Sequence, residues 1–170
     1  MGIMDNLFNS SFGLKIDSKQ VVGEIIRFME ADKEKRYKIT IGTDSERYNG
    51  ALADFVIAVV VHRVGNGGRY FWRRVELTGV HTLRDRIIKE VLFSIEIAKE
   101  ILTILKEAPQ FSVENGSAIN WDFEIHADIG ENGETKSMIQ EVVGMIRANN
   151  FEARTKPDSY AASNVADRHV

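Results

Sequence analysis

The stretch Ala51-Leu-Ala-Asp-Phe-Val-Ile-Ala-Val-Val-Val-His-Arg-Val-Gly65 limits this chain more than any other. Its β-branched, nearly uninterrupted apolar run suits a strand buried on both faces. Gly65 to Gly68, read Gly-Asn-Gly-Gly, supply the positive φ angles that a hairpin turn needs. Arg69 to Thr78 then read as the returning strand. Upstream, Tyr37, Ile39 and Ile41 alternate with Lys38, Thr40 and Gly42, so a first strand is expected from about Tyr37 to Asp44. These segments predict an antiparallel three-strand meander.

Helical and strand patterns alternate after it. The spacing predicts a helix from about Leu83 to Glu107, with Thr82 and Asp85 as a capping box. Its apolar stripe is expected to hold Ile87, Ile88, Val91, Leu92, Ile95, Ala98, Ile101, Leu102 and Leu105. A fourth strand runs through Ala118 to Gly130, with Trp121, Phe123, Ile125 and Ala127 on one face and Asp122, Glu124, His126 and Asp128 on the other. A helix from about Glu134 to Ala148, a short fifth strand in Phe151 to Lys156, and a last helix opened by Pro157-Asp158-Ser159 complete the pattern. Before the meander, Val21, Val22, Ile25, Ile26 and Met29 form the stripe of a helix from about Ser18 to Ala31, capped by Asp17-Ser18. A hairpin-linked meander joined to βαβ crossovers predicts a mixed α/β fold: one mixed sheet with helices on both faces. Residues 1–34 read as a leader and a helix packed on a domain of residues 35–170, with the stretch before Ser18 expected to lie loose.

Composition narrows the function classes. With 170 residues and 44% hydrophobic content, one globular domain is expected. A net charge of −3 argues against a general polyanion binder, though not against a local basic patch. The chain has no cysteine, which excludes disulfides and thiolate zinc sites and fits a cytoplasmic protein. No apolar run is long enough to span a membrane, and the N-terminus lacks the pattern of a secretory signal.

The chemistry of the chain lies in its acids. Asp44 ends the first strand and Asp128 ends the fourth. If those strands are parallel neighbours, the two carboxylates meet outside the carboxyl ends of the sheet, where α/β sites form. Acids at such range repel, and a divalent cation relieves the repulsion; oxygen ligands without cysteine favour Mg²⁺ or Mn²⁺. Each Asp taken alone is equally well explained as a turn or helix cap. On the long helix, Glu96 and Glu100 fall opposite the stripe, whereas Glu90 falls at its edge and can lean over the sheet toward Asp44. An exposed Arg86–Glu90 pair is the competing explanation for Glu90.

Ile39-Thr-Ile-Gly-Thr-Asp-Ser-Glu46, the meander, Arg86-Ile-Ile-Lys-Glu90, Ile125-His-Ala-Asp-Ile-Gly130 and Ser163-Asn-Val-Ala-Asp-Arg168 together resemble the ribonuclease H fold. The run from Gly133 to Arg168 resembles a family of poorly characterised bacterial ribonuclease-H-like proteins. The resemblance implies a five-stranded mixed sheet with an extra N-terminal helix. It also implies four acids: Asp on the first strand, Glu on the first helix, Asp on the fourth strand, and Asp in a late Asn-x-x-Ala-Asp. Asn164-Val-Ala-Asp167 matches that last pattern, leaving Asp158 as a helix cap and the alternative fourth acid. On this reading the chain is a metal-dependent nuclease for RNA, DNA or a hybrid. Asp44, Glu90, Asp128 and Asp167 would hold two Mg²⁺ or Mn²⁺ ions. Asp44 would bridge both; Asp128 and Asp167 would serve the nucleophile side and Glu90 the other.

Three features depart from the family pattern. Ser45 follows the first Asp where Gly is frequent, the loop before the last helix has no histidine, and no basic handle helix is present. A non-catalytic nucleic-acid-binding or scaffold protein with the same fold is the alternative. A nucleotide phosphohydrolase is a third reading, without a glycine-rich motif behind it. His62, His81 and His126 have no metal-ligand spacing; a hydrogen-bonded structural role suits His126 best, with support of Asp128 as its rival. Arg73, Arg74, Arg84, Arg86, Lys89 and Lys136 are candidate phosphate contacts, and Tyr70, Phe71 and Trp72 candidate base platforms. Scattered surface charge and strand packing explain both sets as well. Gly130 to Thr135 lacks the lysine of a phosphate loop and reads as a turn.

Overall fold

The computed structural model describes residues 6–111 and 119–169, with all their side chains except those of 110, 162, 163 and 167. The chain folds around β3 (Arg36–Arg47), β4 (Ala53–Arg63) and β5 (Gly68–Leu77), the antiparallel meander. Gly65 and Gly67 take φ angles of 81° and 80° in the β4–β5 turn, where a side chain would be strained. On the other flank of β3, β6 (Asn120–His126) and then β7 (Glu152–Arg154) add in parallel.

The sheet has seven strands rather than five, in the order β2-β1-β5-β4-β3-β6-β7. The two extra strands are β1 (Phe8–Ser10) and β2 (Lys15–Ile16), from the stretch expected to lie loose. Phe8 is fully buried, Asn9 and Ser10 pair with Trp72 and Phe71, and the hairpin covers the edge that β5 would otherwise expose.

Three α-helices share one face: α1 (Ser18–Glu30), α2 (Leu83–Glu107) and α3 (Ile139–Ala148). Capping boxes at Asp17–Gln20 and Thr82–Asp85 fix where α1 and α2 begin. In α2 the stripe is rotated from the expected one: Leu92 is 46% exposed, while Ile97 is buried. The opposite face carries no α-helix among the described residues, which corrects the expectation of helices on both faces. A six-residue π-helical turn, Ala161–Ala166, and a 3-10 turn, Asp167–His169, lie there instead. Ala161 and Ala166, fully buried, pack with Val56, Ala58 and Val60; their small side chains let the turn sit close to the strand. Among the described residues, no helix is long and apolar enough to cross a membrane.

Candidate active site

β3 presents its side chains alternately to the two faces, and the candidate site is built on that alternation. Thr43 and Ser45 turn toward α2: the Thr43 and Ser94 hydroxyls bond at 2.8 Å, and Ser45 Oγ donates to Glu90 Oε1 at 2.5 Å. Asp44, between them, therefore turns to the face of the 161–166 turn, where it is half-buried. The parallel register of β3 and β6 ends at Gly42 with His126. Asp128 follows two residues on, in a turn closed by the Ile129 N–H on the Ala127 carbonyl at 2.9 Å.

Asp128 is held from the far side. Lys156 Nζ lies 3.3 Å from its Oδ1, and Lys156 N–H donates to the Ile129 carbonyl at 2.8 Å. Gly130 makes that approach possible, since a Cβ there would stand 2.9 Å from Lys156 Cβ. A small crevice between α2 and the ends of β3 and β6 is lined by Thr43, Glu90, Ser94, His126 and Asp128.

Glu90 is the unusual group in that crevice. Only 6% of it is exposed, and burial is the chief reason its carboxyl is pushed up to about 8. The charges of Asp44 and Asp128 raise it further, against the Ser45 hydroxyl and Arg86, which favour the ionised form. Glu90 thus senses both aspartates. Yet among the described residues no three acids or histidines converge closely enough to hold a metal ion. Alternation explains part of this, because Asp44 and Glu90 approach β3 from opposite faces. As a donor set, three carboxylates with hydroxyls beside them fit a hard divalent cation in chemistry.

The Asp167 side chain lies outside the described residues, but its backbone opens the 3-10 turn. That turn is fastened to β5: the His169 ring stacks on Trp72 at 4.4 Å and 13°, and its carbonyl accepts from Arg74 Nη2 at 2.5 Å. Arg74 in turn lies 3.7 Å from Asp54, a buried acid absent from the sequence reading, which also accepts from the Tyr48 hydroxyl at 3.1 Å. Asp158 is exposed, and its N–H closes a turn onto the Thr155 carbonyl at 2.8 Å. Glu96 is exposed; Glu100, also exposed, accepts from Ser18 Oγ at 2.6 Å and ties α1 to α2.

Several other candidates serve the fold. His126 is fully enclosed, and its Nδ1 accepts from the Ala161 N–H at 3.1 Å. The ring proton therefore sits on Nε2 and donates to Glu124 Oε1 at 2.9 Å. Arg73 lies over the Phe8 ring at 4.1 Å, and Arg84 pairs with Glu141 of α3 at 2.5 Å. Phe71 is buried in the core. Sequence reasoning missed Ser45 as a partner of Glu90 and treated it as a departure from a family glycine. Its position one residue after Asp44 was the available signal.

β3 runs on to Arg47, so Asp44 lies within the strand rather than at its expected end, and Asp128 lies two residues beyond β6. A mixed sheet of this order with those two acids fits a ribonuclease H-like protein. A family model described as "Ribonuclease H-like" matches residues 20–170, and the chain belongs to that family. It is 32% identical over 165 residues to "Uncharacterized protein YkuK" of Bacillus subtilis (strain 168), with 95% of each chain covered. No solved structure matches the chain.

Proposed function

We propose that this chain is a metal-dependent nuclease that hydrolyses phosphodiester bonds of RNA or DNA in the cytoplasm. The observation that carries the reading is Glu90: a buried acid in the crevice that Asp128 also lines, its carboxyl pushed up to about 8 by burial and by the charges of Asp44, on the opposite face of β3, and Asp128. A carboxyl kept out of water and against like charge is costly for folding alone. Asp44, Glu90, Asp128 and Asp167 would hold Mg²⁺ or Mn²⁺. Such ions, when bound, stabilise the charge that develops on the attacked phosphate and the departing oxygen. Ser45 orients Glu90, Lys156 balances Asp128 until a cation replaces it, and the latch on His169 keeps the segment bearing Asp167 against the sheet.

Asp44→Asn is expected to abolish cleavage of single-stranded, duplex and hybrid substrates while leaving the circular dichroism spectrum unchanged; cleavage at the wild-type rate would overturn the reading. Glu90→Gln is expected to impair metal-dependent cleavage far more than Glu96→Gln. Mn²⁺ titration calorimetry decides the fourth acid, with loss of affinity expected in Asp167→Asn and none in Asp158→Asn. The second reading is a non-catalytic nucleic-acid-binding protein that keeps the fold. The lack of a converged three-acid group among the described residues favours it. No Mn²⁺ or Mg²⁺ binding at millimolar concentration would establish it over the nuclease.

A further inference from the structure

At the end of the sheet away from Asp44 lies a second feature that the acid site does not explain. The β1–β2 hairpin tip holds Phe12 76% exposed and Leu14 65% exposed. The tip is no loose end: Ser10 N–H donates to the Leu14 carbonyl at 2.8 Å, and Gly13 turns with φ 81°. Phe12 forms one wall of an open basin whose other walls are Glu24, Arg27, Phe28, Ala31, Arg63 and Arg69. Three arginines against one glutamate make a positive basin on a chain of net charge −3.

The arginines divide by role. Arg63 is committed to the fold, donating to the Tyr37 hydroxyl and the Phe28 carbonyl, both at 3.0 Å. Its guanidinium stacks over the Phe28 ring at 4.3 Å, and that of Arg69 lies over the same ring at 4.9 Å. Stacking fixes the Arg69 plane in advance, so little rotamer freedom is lost when its edge meets an anion. Arg27 is paired at 2.8 Å with Glu24, but both are well exposed, and such a pair yields readily to a better anion.

We infer that this basin binds single-stranded nucleic acid, with a base stacked on Phe12 and the backbone phosphates on Arg27 and Arg69. Exposed aromatic faces beside fixed guanidinium edges are the chemistry that holds unpaired strands with little regard to sequence. A duplex hides its bases from Phe12, and an acidic peptide offers carboxylates but no ring for it. The basin stands about 23 Å from Asp44, taking seven residues of β3 at about 3.3 Å each. It is therefore a holding surface separate from the acid site. The inference goes beyond the nuclease reading and does not depend on it.

The test is fluorescence anisotropy of a labelled oligouridylate and a labelled oligothymidylate of about twelve nucleotides, in EDTA so that cleavage plays no part. Arg27→Gln/Arg69→Gln is expected to weaken binding at least tenfold, and Phe12→Ala several-fold. Phe12→Trp is expected to retain binding and to show indole quenching by the bases. Lys99→Gln/Lys106→Gln removes the same charge from exposed positions of α2 and is expected to change affinity less than twofold. An undiminished affinity in the arginine variant, or an equal loss in the lysine variant, overturns the site. Equal affinity for a duplex, or equal displacement by an acidic peptide, overturns the assignment to single strands. Phe12 sits at an exposed tip, so its two variants remain informative if the arginine variant fails to fold. Binding in EDTA together with no cleavage by the wild type in Mg²⁺ or Mn²⁺ would sink the nuclease and leave this surface standing.

Discussion

Glu90 and Glu124 are both buried, at 6% and 3% exposure, and lie on opposite faces of the same sheet. Burial pushes both carboxyls up, yet Glu90 stands at about 8 and Glu124 at about 2. The partners make the difference. Against burial, His126 favours ionised Glu124 most, first by its N–H and then by its charge, followed by the charges of Lys38 at 3.4 Å and Arg154 at 3.2 Å. Glu90 has one hydroxyl donor and the charge of Arg86 against burial and two acids. Glu124 thus fastens β3, β6, β7 and, through His126, the 161–166 turn. Glu90 fastens little for a carboxyl kept so far from water. A buried acid met by donors and cations belongs to the architecture, whereas one set beside other acids points to a ligand that arrives later.

The largest expected effect is on stability. Glu124→Ala removes the shared acceptor of one imidazole and two cations. Breaking a buried ion pair costs about 3–5 kcal/mol, and the partial exposure of Lys38 and Arg154 lowers the expectation to about 2–3 kcal/mol. At pH 7 Glu90 is mostly protonated in the fold but ionised in the unfolded chain, so Glu90→Gln, which needs no proton, should stabilise the fold there rather than weaken it. Urea unfolding of the two variants measures both. Equal losses would erase the contrast.

A smaller effect concerns pH. Both carboxyls start from an ordinary value of 4.5. Glu90 is raised, so its protonated form stabilises the fold fully below 4.5, and that contribution is lost as pH rises through about 8. Glu124 is lowered, so its contribution is present above 4.5 and lost as pH falls through about 2. Carbon-detected NMR of the metal-free protein should find one glutamate titrating at each end. Glu90→Gln should flatten the alkaline decline in stability, and Glu124→Gln the acid one. Titration of both near 4.5 would mean that neither environment is as closed as the structure has it.

The contrast between these acids was only half legible in the sequence. Long elements with a clear period were readable: α2 spans Leu83–Glu107 as its caps and stripe predict, and the Gly65–Gly68 turn lies where the meander reverses. The β1–β2 hairpin was not, because strands of three and two residues show no period. Ala161 and Ala166 do pack close to the sheet as small residues should, but in a π-helical turn that no local signal distinguishes from an α-helix. The wheel brought Glu90 toward the sheet. Glu124 read as one polar position among four on a strand face. Its partners Lys38 and Arg154 come from other strands, and no local pattern joins them.

The smallest expected effect isolates the hydroxyl that donates to Glu90. Ser45 Oγ donates to Glu90 Oε1 at 2.5 Å. That bond opposes burial, so losing it must raise the Glu90 carboxyl further. One hydrogen bond contributes about 0.5–1.5 kcal/mol net, and about 1.4 kcal/mol corresponds to one pH unit. Ser45→Gly and Ser45→Ala should therefore shift the Glu90 titration upward by about one unit or less. Thr43→Val is the matched control: Thr43 faces the same helix from the same strand, but its hydroxyl bonds Ser94. It should leave Glu90 titrating where it does in the wild type. Equal shifts in the serine and threonine variants would mean that general loosening of the crevice, not the Ser45 hydroxyl, governs Glu90. A shift confined to Ser45 would show that this chain restrains its buried acid with a donor that a glycine cannot supply.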